Sequence, residues 1–414
     1  MLDINFIKDN LDKCKAAAAN KNRVVEWDKL LALDETWRRL TKSVDDLRAK
    51  RNEIAKKQTE EAKVEGRQLK ESLKGLEEEQ RSVEAELLTV LMTVPNVPDA
   101  SVPIGKDSSG NVEVRRWGKE PVFDFGIKDH IELAKRLDLI DFERGTKVGG
   151  FRAYFLKNEA VLLEFGILQY ALRKLVSKGY TPLMAPSMVK EFTLFGNGQF
   201  PWGRDEVYHL EKDDLYLAGT AEVPVTSYYS DEILSEMDLP KKFVAFSPCF
   251  RREAGSYGKD TKGAYRLHQF NKIEQLIIST NDMSNSLTLL EELLHNSEEI
   301  LQDLKLPYRV MSMCTGDMGE PQVKKYDIET WMPSRSAYGE TMSDSLMGDF
   351  QARRVKLRYR TKDGKTVYCH TLNNTAIASP RILIPILENY QQKDGSIRVP
   401  DVLIPFVGKE VISR

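Results

Sequence analysis

The stretch CFRREAGSYGKDTKGAYRLHQFNKIE, residues 249–274, joins two strand-like ends through a loop that holds Gly255, Gly258, Lys259, Lys262 and Gly263. Alternating residue types at the ends and glycines between them read as a long-looped β-hairpin. On the returning end, Arg266, His268, Phe270, Lys272 and Glu274 have the same parity, so an extended strand places them on one face. That run would cover about 26 Å at some 3.3 Å per residue. Arg251 and Glu253 share a face of the outgoing end in the same way. Together they offer cations, an aromatic plane and carboxylates across a broad surface, which suits a nucleotide beside a zwitterion. A salt-bridged solvent face with one core phenylalanine fits the same pattern.

Working outward, β-like segments such as KFVAFSPCF, RVKLRYR and TVYCHTL alternate with amphipathic segments read as helices, ILSEMDL and LTLLEELLHNSEEILQDL. Hairpins rather than repeated βαβ units make this an α+β pattern. Upstream, the proline-rich VPNVPDASVP and the turn-rich KDSSGN interrupt any helix, which places a domain boundary between Pro95 and Val114. Two domains follow, residues 1–105 and 106–414.

In the first domain the apolar residues step by three and four. Trp37, Leu40, Val44, Leu47, Arg51, Ile54 and Gln58 form one series, and Leu69, Leu73, Leu76, Gln80, Val83, Leu87 and Val90 form the other. If the chain folds back on itself, Trp37 meets Val90 and Gln58 meets Leu69, each pair of numbers adding to 127. That register puts the tip at 64–66, beside Gly66, and gives a helical hairpin over about 29–93. Helices of roughly 34 residues make an arm on the order of 50 Å long. From Thr36 to Lys74 there are twelve Lys and Arg against seven Asp and Glu, whereas Leu76–Leu87 holds five Glu and one Arg. The distal end is therefore basic. A solvated charged surface and a phosphate-binding surface both fit that excess, and on the second reading Lys56, Lys57 and Lys63 are the candidate nucleic-acid contacts.

The 414 residues are 41% hydrophobic and 30% charged, a composition typical of a folded globular chain. The most apolar stretches, VLLEFGILQY and RILIPILEN, are too short to span a bilayer, so neither export nor a membrane is expected. The four cysteines are far apart and form no C-x-x-C pair, and the five histidines form no H-E-x-x-H, so no disulfide framework and no protein-bound zinc are expected. A reduced, cytoplasmic setting fits. The net charge of −2 conceals the local basic excess in the arm. Neither HIGH, KMSKS nor a G-x-x-x-x-G-K-[ST] loop is present.

The 249–274 stretch resembles motif 2 of class II aminoacyl-tRNA synthetases, with F-R-x-E followed by R-x-H-Q-F-x-K-x-E in the form found in the seryl-tRNA synthetase family. The likeness extends along nearly the whole chain: MLDINFI, PNVPDASVPIGKDSSGNVEVRRWG, PLMAPSMV as motif 1, LAGTAEVP as a serine-pocket loop, and GETMSDSLMGDFQARR leading to HTLNNTAIASPRILIPILENYQ as motif 3. It implies an antiparallel sheet flanked by helices, with an N-terminal coiled-coil arm that grips tRNA. It also implies activation of L-serine by ATP and transfer of serine to tRNA(Ser), with tRNA(Sec) as a further candidate, by a homodimer with motif 1 at its interface.

By position, the resemblance assigns the serine amino group to Thr220 and the Ala221–Glu222 turn, the carboxylate to Arg251, and the hydroxyl to Glu274 and Thr375. It assigns ATP to Arg251, Arg252, Glu253, Arg266, Phe270, Glu340, Thr341, Met342, Ser343 and Arg381, and Mg²⁺ to Glu340 and Ser343. Leu346, Pro380 and Gly219 depart from the family's usual asparagine, glycine and bulkier residue. Ser379 is expected to cap the helix after Pro380, and Pro385 to bend it. A homologue that aminoacylates a carrier protein and a non-catalytic homologue are the alternatives. The arm speaks against the first, and intact Arg251, Glu253, Glu274, Glu340 and Arg381 against the second.

Overall fold

A computed structural model describes residues 1–57, 59–254 and 262–414. Gln58 of the proposed seam and Gly255, Gly258 and Lys259 of the hairpin loop lie outside the described residues. The chain forms two compact units, Met1–Val97 and Pro98–Arg414. The segment after Val97 belongs with the second unit for a visible reason. Val102 is buried with Met311, Met313 and Met318, and Pro103 accepts a backbone hydrogen bond from Thr315 at 2.9 Å.

In the first unit, helices α1 (Ile4–Asp9) and α2 (Leu11–Asn20) precede α3 (Trp27–Ile54) and α4 (Glu60–Leu91). The 28 and 32 residues of α3 and α4 correspond to roughly 42 and 48 Å. Leu40, Val44 and Ile54 on α3 and Leu69, Leu73, Leu87 and Val90 on α4 are buried, but Arg51 is exposed. Leu87, Val90, Leu91 and Leu30 close a cluster with Ile7, Cys14 and Ala18 at the base.

α3 ends at Ile54 and α4 already runs from Glu60, so the chain does not reverse at 64–66. Thr59 starts α4 by accepting the Ala62 N–H on its hydroxyl at 3.2 Å, and Glu60 and Glu61 follow in the first turn, where the helix dipole favours acids. Gly66 sits inside α4, where an added Cβ would meet no atom within 4 Å, so its flexibility is not used. Across the two helices Lys29 pairs with Glu86 at 2.8 Å and Lys50 with Glu65 at 3.0 Å, numbers adding to 115. Thr41 meets Gln80 at 2.8 Å and Arg48 meets Glu77 at 2.8 Å, adding to 121 and 125, so the polar pairs keep no single sum of 127. The cap signal outweighed the glycine.

In the second unit, β1 (Val112–Trp117), β2 (Thr181–Met184), β3 (Lys241–Phe250), β4 (Gln269–Ser279), β5 (Tyr308–Ser312), β6 (Lys324–Met332), β7 (Ala337–Gly348) and β8 (His370–Ser379) form one sheet. The order is β1-β5-β6-β7-β8-β4-β3-β2, antiparallel throughout except for the parallel β2–β3 pair. Helices α5 (Glu159–Ser177) and α6 (Met283–Asp303) cover one face, where Leu163, Ile167, Leu290 and Leu293 share a core with Ile273, Ile277, Met342 and Leu372. Stripping water from these side chains stabilises the unit by ~25 cal/mol per Å² of apolar surface. The opposite face is divided. Phe243 and Ala245 of β3 and Leu276 and Ile278 of β4 are buried in a second apolar cluster with Val225, Ala352 and Leu357. The stretch around Phe270 and Lys272 of β4 and Thr375 of β8 is left for polar side chains.

Three local expectations are corrected. ILSEMDL is not a helix: Ile233–Ser235 pairs parallel with Arg358–Arg360, and Ser235 accepts Met237 N–H to start a single tight turn. Ser379 ends β8 and donates its hydroxyl to Glu164, so it caps nothing. The following helix α7 begins only at Leu383 and runs to Asn389. Pro385 therefore falls in its first turn, where the missing N–H has no intrahelical partner to lose and no bend is required.

Candidate active site

The open face carries a cavity of about 90 Å³ whose lining includes Arg251, Glu253, Phe270, Lys272, Glu340, Ser343, Thr375 and Arg381. Strand alternation explains part of this set. Phe270, Lys272 and Glu274 share the cavity side of β4, while Ile273 and Ile277 point to the helices. Arg251 and Glu253 line the cavity, and Arg252 between them is exposed, its backbone N–H bonded to the Glu206 carbonyl at 2.9 Å. The one-face reading of the returning end holds only from Phe270. β4 begins at Gln269, so Arg266 and His268 precede it: Arg266 donates to Glu253 at 3.2 Å, and His268 bonds the Arg251 carbonyl at 2.9 Å and faces a different hollow, beside Tyr208 and Arg152.

Two β-bulges complete the face. Glu340 and Ser343 have opposite parity and would lie on opposite sides of an ideal strand. Between them Ile328 pairs with Met342 and Glu329 with Glu340, so Thr341 is an extra residue on β7. The bulge turns Glu340 and Ser343 to the same side and sends Met342 into the helix-covered core. Thr341 and Met342 still contribute to the cavity lining, with the Thr341 hydroxyl engaged by Thr330 at 2.7 Å. On β8, Ala376 is the extra residue opposite β4, which brings both Thr375 and Ala378 to the cavity.

At the floor the Lys272 ammonium lies 2.6 Å from Glu274 Oε2, 2.6 Å from Thr220 Oγ1 and 3.4 Å from Thr375 Oγ1. Thr375 also donates to Glu274 at 3.1 Å. Lys272 and Glu274 are 4% and 2% exposed, so this is a desolvated ion pair that needs such hydrogen bonds to be tolerated. Lys272 was not among the expected site residues, although its parity with Phe270 and Glu274 was legible. The Ala221–Glu222 turn follows Thr220, but the Glu222 carboxyl faces inward to the amides of Gln351 (2.7 Å) and Asn373 (2.9 Å). Desolvation and then the Glu274 charge push it up to about 7.

At the other end, Arg381 donates to the Tyr265 carbonyl at 3.0 Å, stacks 4.5 Å from the Tyr265 ring centroid and approaches Glu340 Oε2 at 3.8 Å. Desolvation pushes the Glu340 carboxyl up, but Arg381, Lys325, Arg251 and Arg266 outweigh it and hold it below the usual value. An ionised carboxylate beside a serine hydroxyl is a hard-oxygen pair of the kind Mg²⁺ takes together with substrate phosphates. Asp327, register partner of Ser343 on β6, is raised to about 7, chiefly by desolvation. Arg251 stands 5.3 Å from the Phe270 centroid and donates to the Gly219 carbonyl at 3.3 Å. A Cβ on Gly219 would sit 3.3 Å from Arg251 Cγ, so glycine here lets Arg251 approach closely. Leu346, the other departure, is fully buried in the helix-covered core and does not touch the cavity.

An antiparallel sheet whose open face carries arginines, an aromatic platform and carboxylates defines a class II aminoacyl-tRNA synthetase core. Residues 206–390 match the tRNA synthetase class II core domain (G, H, P, S and T), and residues 1–98 match the seryl-tRNA synthetase N-terminal domain. The serine–tRNA ligase of Deinococcus radiodurans is 47% identical, the alignment covering 100% of this chain and 99% of that one. The seryl-tRNA synthetase of Pyrococcus horikoshii, solved with ATP, has a TM-score of 0.92 at 39% identity, covering 100% of this chain and 99% of that one. The cytoplasmic serine–tRNA ligase of Naegleria fowleri, solved with AMP, has a TM-score of 0.86 at 32% identity, covering 97% and 95%. The chain belongs to the seryl-tRNA synthetase family.

Proposed function

We propose that the cavity activates L-serine with ATP and that the chain then transfers serine to the 3′ end of tRNA(Ser), releasing AMP. The observation that carries the reading is the buried Lys272–Glu274–Thr375 floor at one end of a cavity whose other end holds Arg381 and Glu340. Glu274 and Thr375 take the serine hydroxyl, Thr220 and the Ala221–Glu222 turn take the amino group, and Arg251 takes the carboxylate. A site built to bond a hydroxyl rejects alanine strongly, because its own buried polar groups would be left unpaired. Phe270 stacks on adenine and Glu253 meets the adenine edge. Arg381 binds the outer phosphates, joined by Arg266 when it leaves Glu253.

No protein nucleophile is needed, because the serine carboxylate is ionised at neutral pH and attacks the α-phosphorus itself. Arg251 sits where negative charge is redistributed in that step, so positioning and charge neutralisation supply the rate. Glu340 and Ser343 would hold Mg²⁺, which neutralises phosphate charge when bound. Serine-dependent pyrophosphate exchange across a panel of amino acids tests the reading: exchange with serine alone is expected, and equal exchange with alanine contradicts it.

The arm grips tRNA through its basic end, where Lys56 and Lys57 are exposed between α3 and α4 and Lys63 pairs with Glu60 in the first turn of α4. The arm's length and charge favour tRNA over a carrier protein as acceptor, with tRNA(Sec) as a second substrate. Two chains act as a homodimer in the cytoplasm. Support comes from β2, an edge strand inside motif 1, and from the exposed Met184, Met188 and Phe165 nearby in sequence. A monomer by sedimentation at micromolar concentration would refute the dimer.

A further inference from the structure

Tyr265 forms one wall of the cavity and fixes Arg381 in three ways. Its carbonyl accepts Arg381 Nε–H at 3.0 Å, and its ring lies 4.5 Å from the guanidinium. Its hydroxyl donates to the Glu340 carbonyl at 3.2 Å, the same oxygen that Arg381 Nη1 reaches at 3.4 Å. The guanidinium of Arg335 also stands 4.6 Å from this ring.

The support for Tyr265 comes from far away in sequence. The N–H of Ala264, the preceding residue, donates to His130 Nε2 at 3.2 Å. His130 is 5% exposed and opens the helix His130–Arg136. Since Nε2 is the acceptor, the neutral ring carries its proton on Nδ1, which lies 3.1 Å from Glu388 Oε1. Fully buried Glu388 also accepts the His130 backbone N–H at 3.0 Å and, on its other oxygen, the Ser334 N–H at 3.0 Å. One carboxylate thus orients the imidazole and ties down the residue before Arg335. The chain passes so close to the ring that a Cβ on Gly263 would lie 2.1 Å from His130 Nε2, and Gly263 has φ +73°. Only glycine accommodates both demands.

We infer that His130 is a positioning residue for the ATP triphosphate: held by Glu388, its imidazole fixes the Ala264–Tyr265 backbone and, through it, Arg381. This rests on the reading of Arg381 as a phosphate ligand. A histidine that merely filled space would not require a free Nε2 or a glycine packed against it.

Asparagine and glutamine separate the two ring nitrogens. His130→Asn keeps a donor near Nδ1 for Glu388 but removes the acceptor for Ala264, whereas His130→Gln restores an amide oxygen near the Nε2 position. Both are compared with Arg381→Ala in the full chain, by calorimetric ATP binding and by the KM for ATP and for serine in pyrophosphate exchange. We expect His130→Asn to weaken ATP binding about tenfold with serine KM within about twofold, and His130→Gln to recover to within about threefold. In the Arg381→Ala background, His130→Asn should add less than about twofold, because both act on one contact.

Fully additive losses, equal losses for serine and ATP, or unchanged ATP binding in His130→Asn beside a weakened Arg381→Ala would overturn the positioning role alone. Unchanged ATP binding in Arg381→Ala would overturn the phosphate reading, and this inference with it. Should His130→Asn not fold, Gly263→Ala, which drives a methyl against the same nitrogen, takes its place under the same criteria.

Discussion

The ammonium of Lys272 lies 2.6 Å from the carboxylate of Glu274, with both side chains almost fully buried at the cavity floor. Breaking one member of such a pair leaves the other charge uncompensated, at a cost of roughly 3–5 kcal/mol. Lys272→Met should therefore lower the melting temperature, and adding Glu274→Gln should recover part of the loss. Serine recognition should behave differently. Glu274→Ala should raise the serine KM in exchange by on the order of 10²-fold, with ATP KM within about threefold, since an acceptor for the substrate hydroxyl is removed. Equal effects on both substrates would contradict the assignment.

Arg251 lines the cavity between the Gly219 carbonyl and the Phe270 ring. Arg251→Ala should slow adenylate formation by roughly 10²-fold or more, the usual scale for losing a preorganised charge contact to the transition state. Single-turnover measurement with saturating serine and ATP isolates the step. A change under about threefold would mean that Arg251 does not contact the reacting groups.

Glu222 gives a pH signature. Its carboxyl is pushed up to about 7 in the folded chain against an ordinary value of 4.5. The folded state thus holds this proton more tightly than the unfolded state, so the penalty of ionising it is absent below about pH 4.5 and grows until pH passes about 7. Glu222→Gln keeps an oxygen for Gln351 and Asn373 and carries no such penalty. The melting temperature of the native chain minus that of the variant should fall by a few degrees from pH 5 to pH 8. A difference that is constant or that rises with pH would show that Glu222 is ionised throughout.

Much of the fold was legible because it follows from period and parity. The seam residues of α3 and α4 and the shared face of Phe270, Lys272 and Glu274 are of this kind. What was missed depended on local competition that composition does not display. Thr59 with Glu60 and Glu61 starts α4, while Gly66, the sterically cheap place to turn, is simply helical. Strand parity alone would have separated Glu340 from Ser343, and only the bulge at Thr341 joins them. Those two came from resemblance, not spacing. The His130–Glu388 pair lies 258 residues apart, with no motif to connect its members.

The central claim is that this chain charges tRNA with serine, with adenylate chemistry in the cavity and tRNA recognition in the arm. The structure shows where to cut. The base cluster of Leu30, Leu87, Val90 and Leu91 with Ile7 and Cys14 must stay, whereas Val44, Ile54, Leu69 and Leu73 are buried further out along α3 and α4. Gln80 donates to Thr41 at 2.8 Å, which marks a convenient joint. Residues 43–78 would be replaced by a short Gly/Ser linker, and pyrophosphate exchange and tRNA charging measured on the same preparation. Serine-dependent exchange should remain within about threefold, while kcat/KM for tRNA(Ser) falls by about 10²-fold or more as the basic surface is lost. Near-normal charging of tRNA(Ser) by the armless chain would contradict the account.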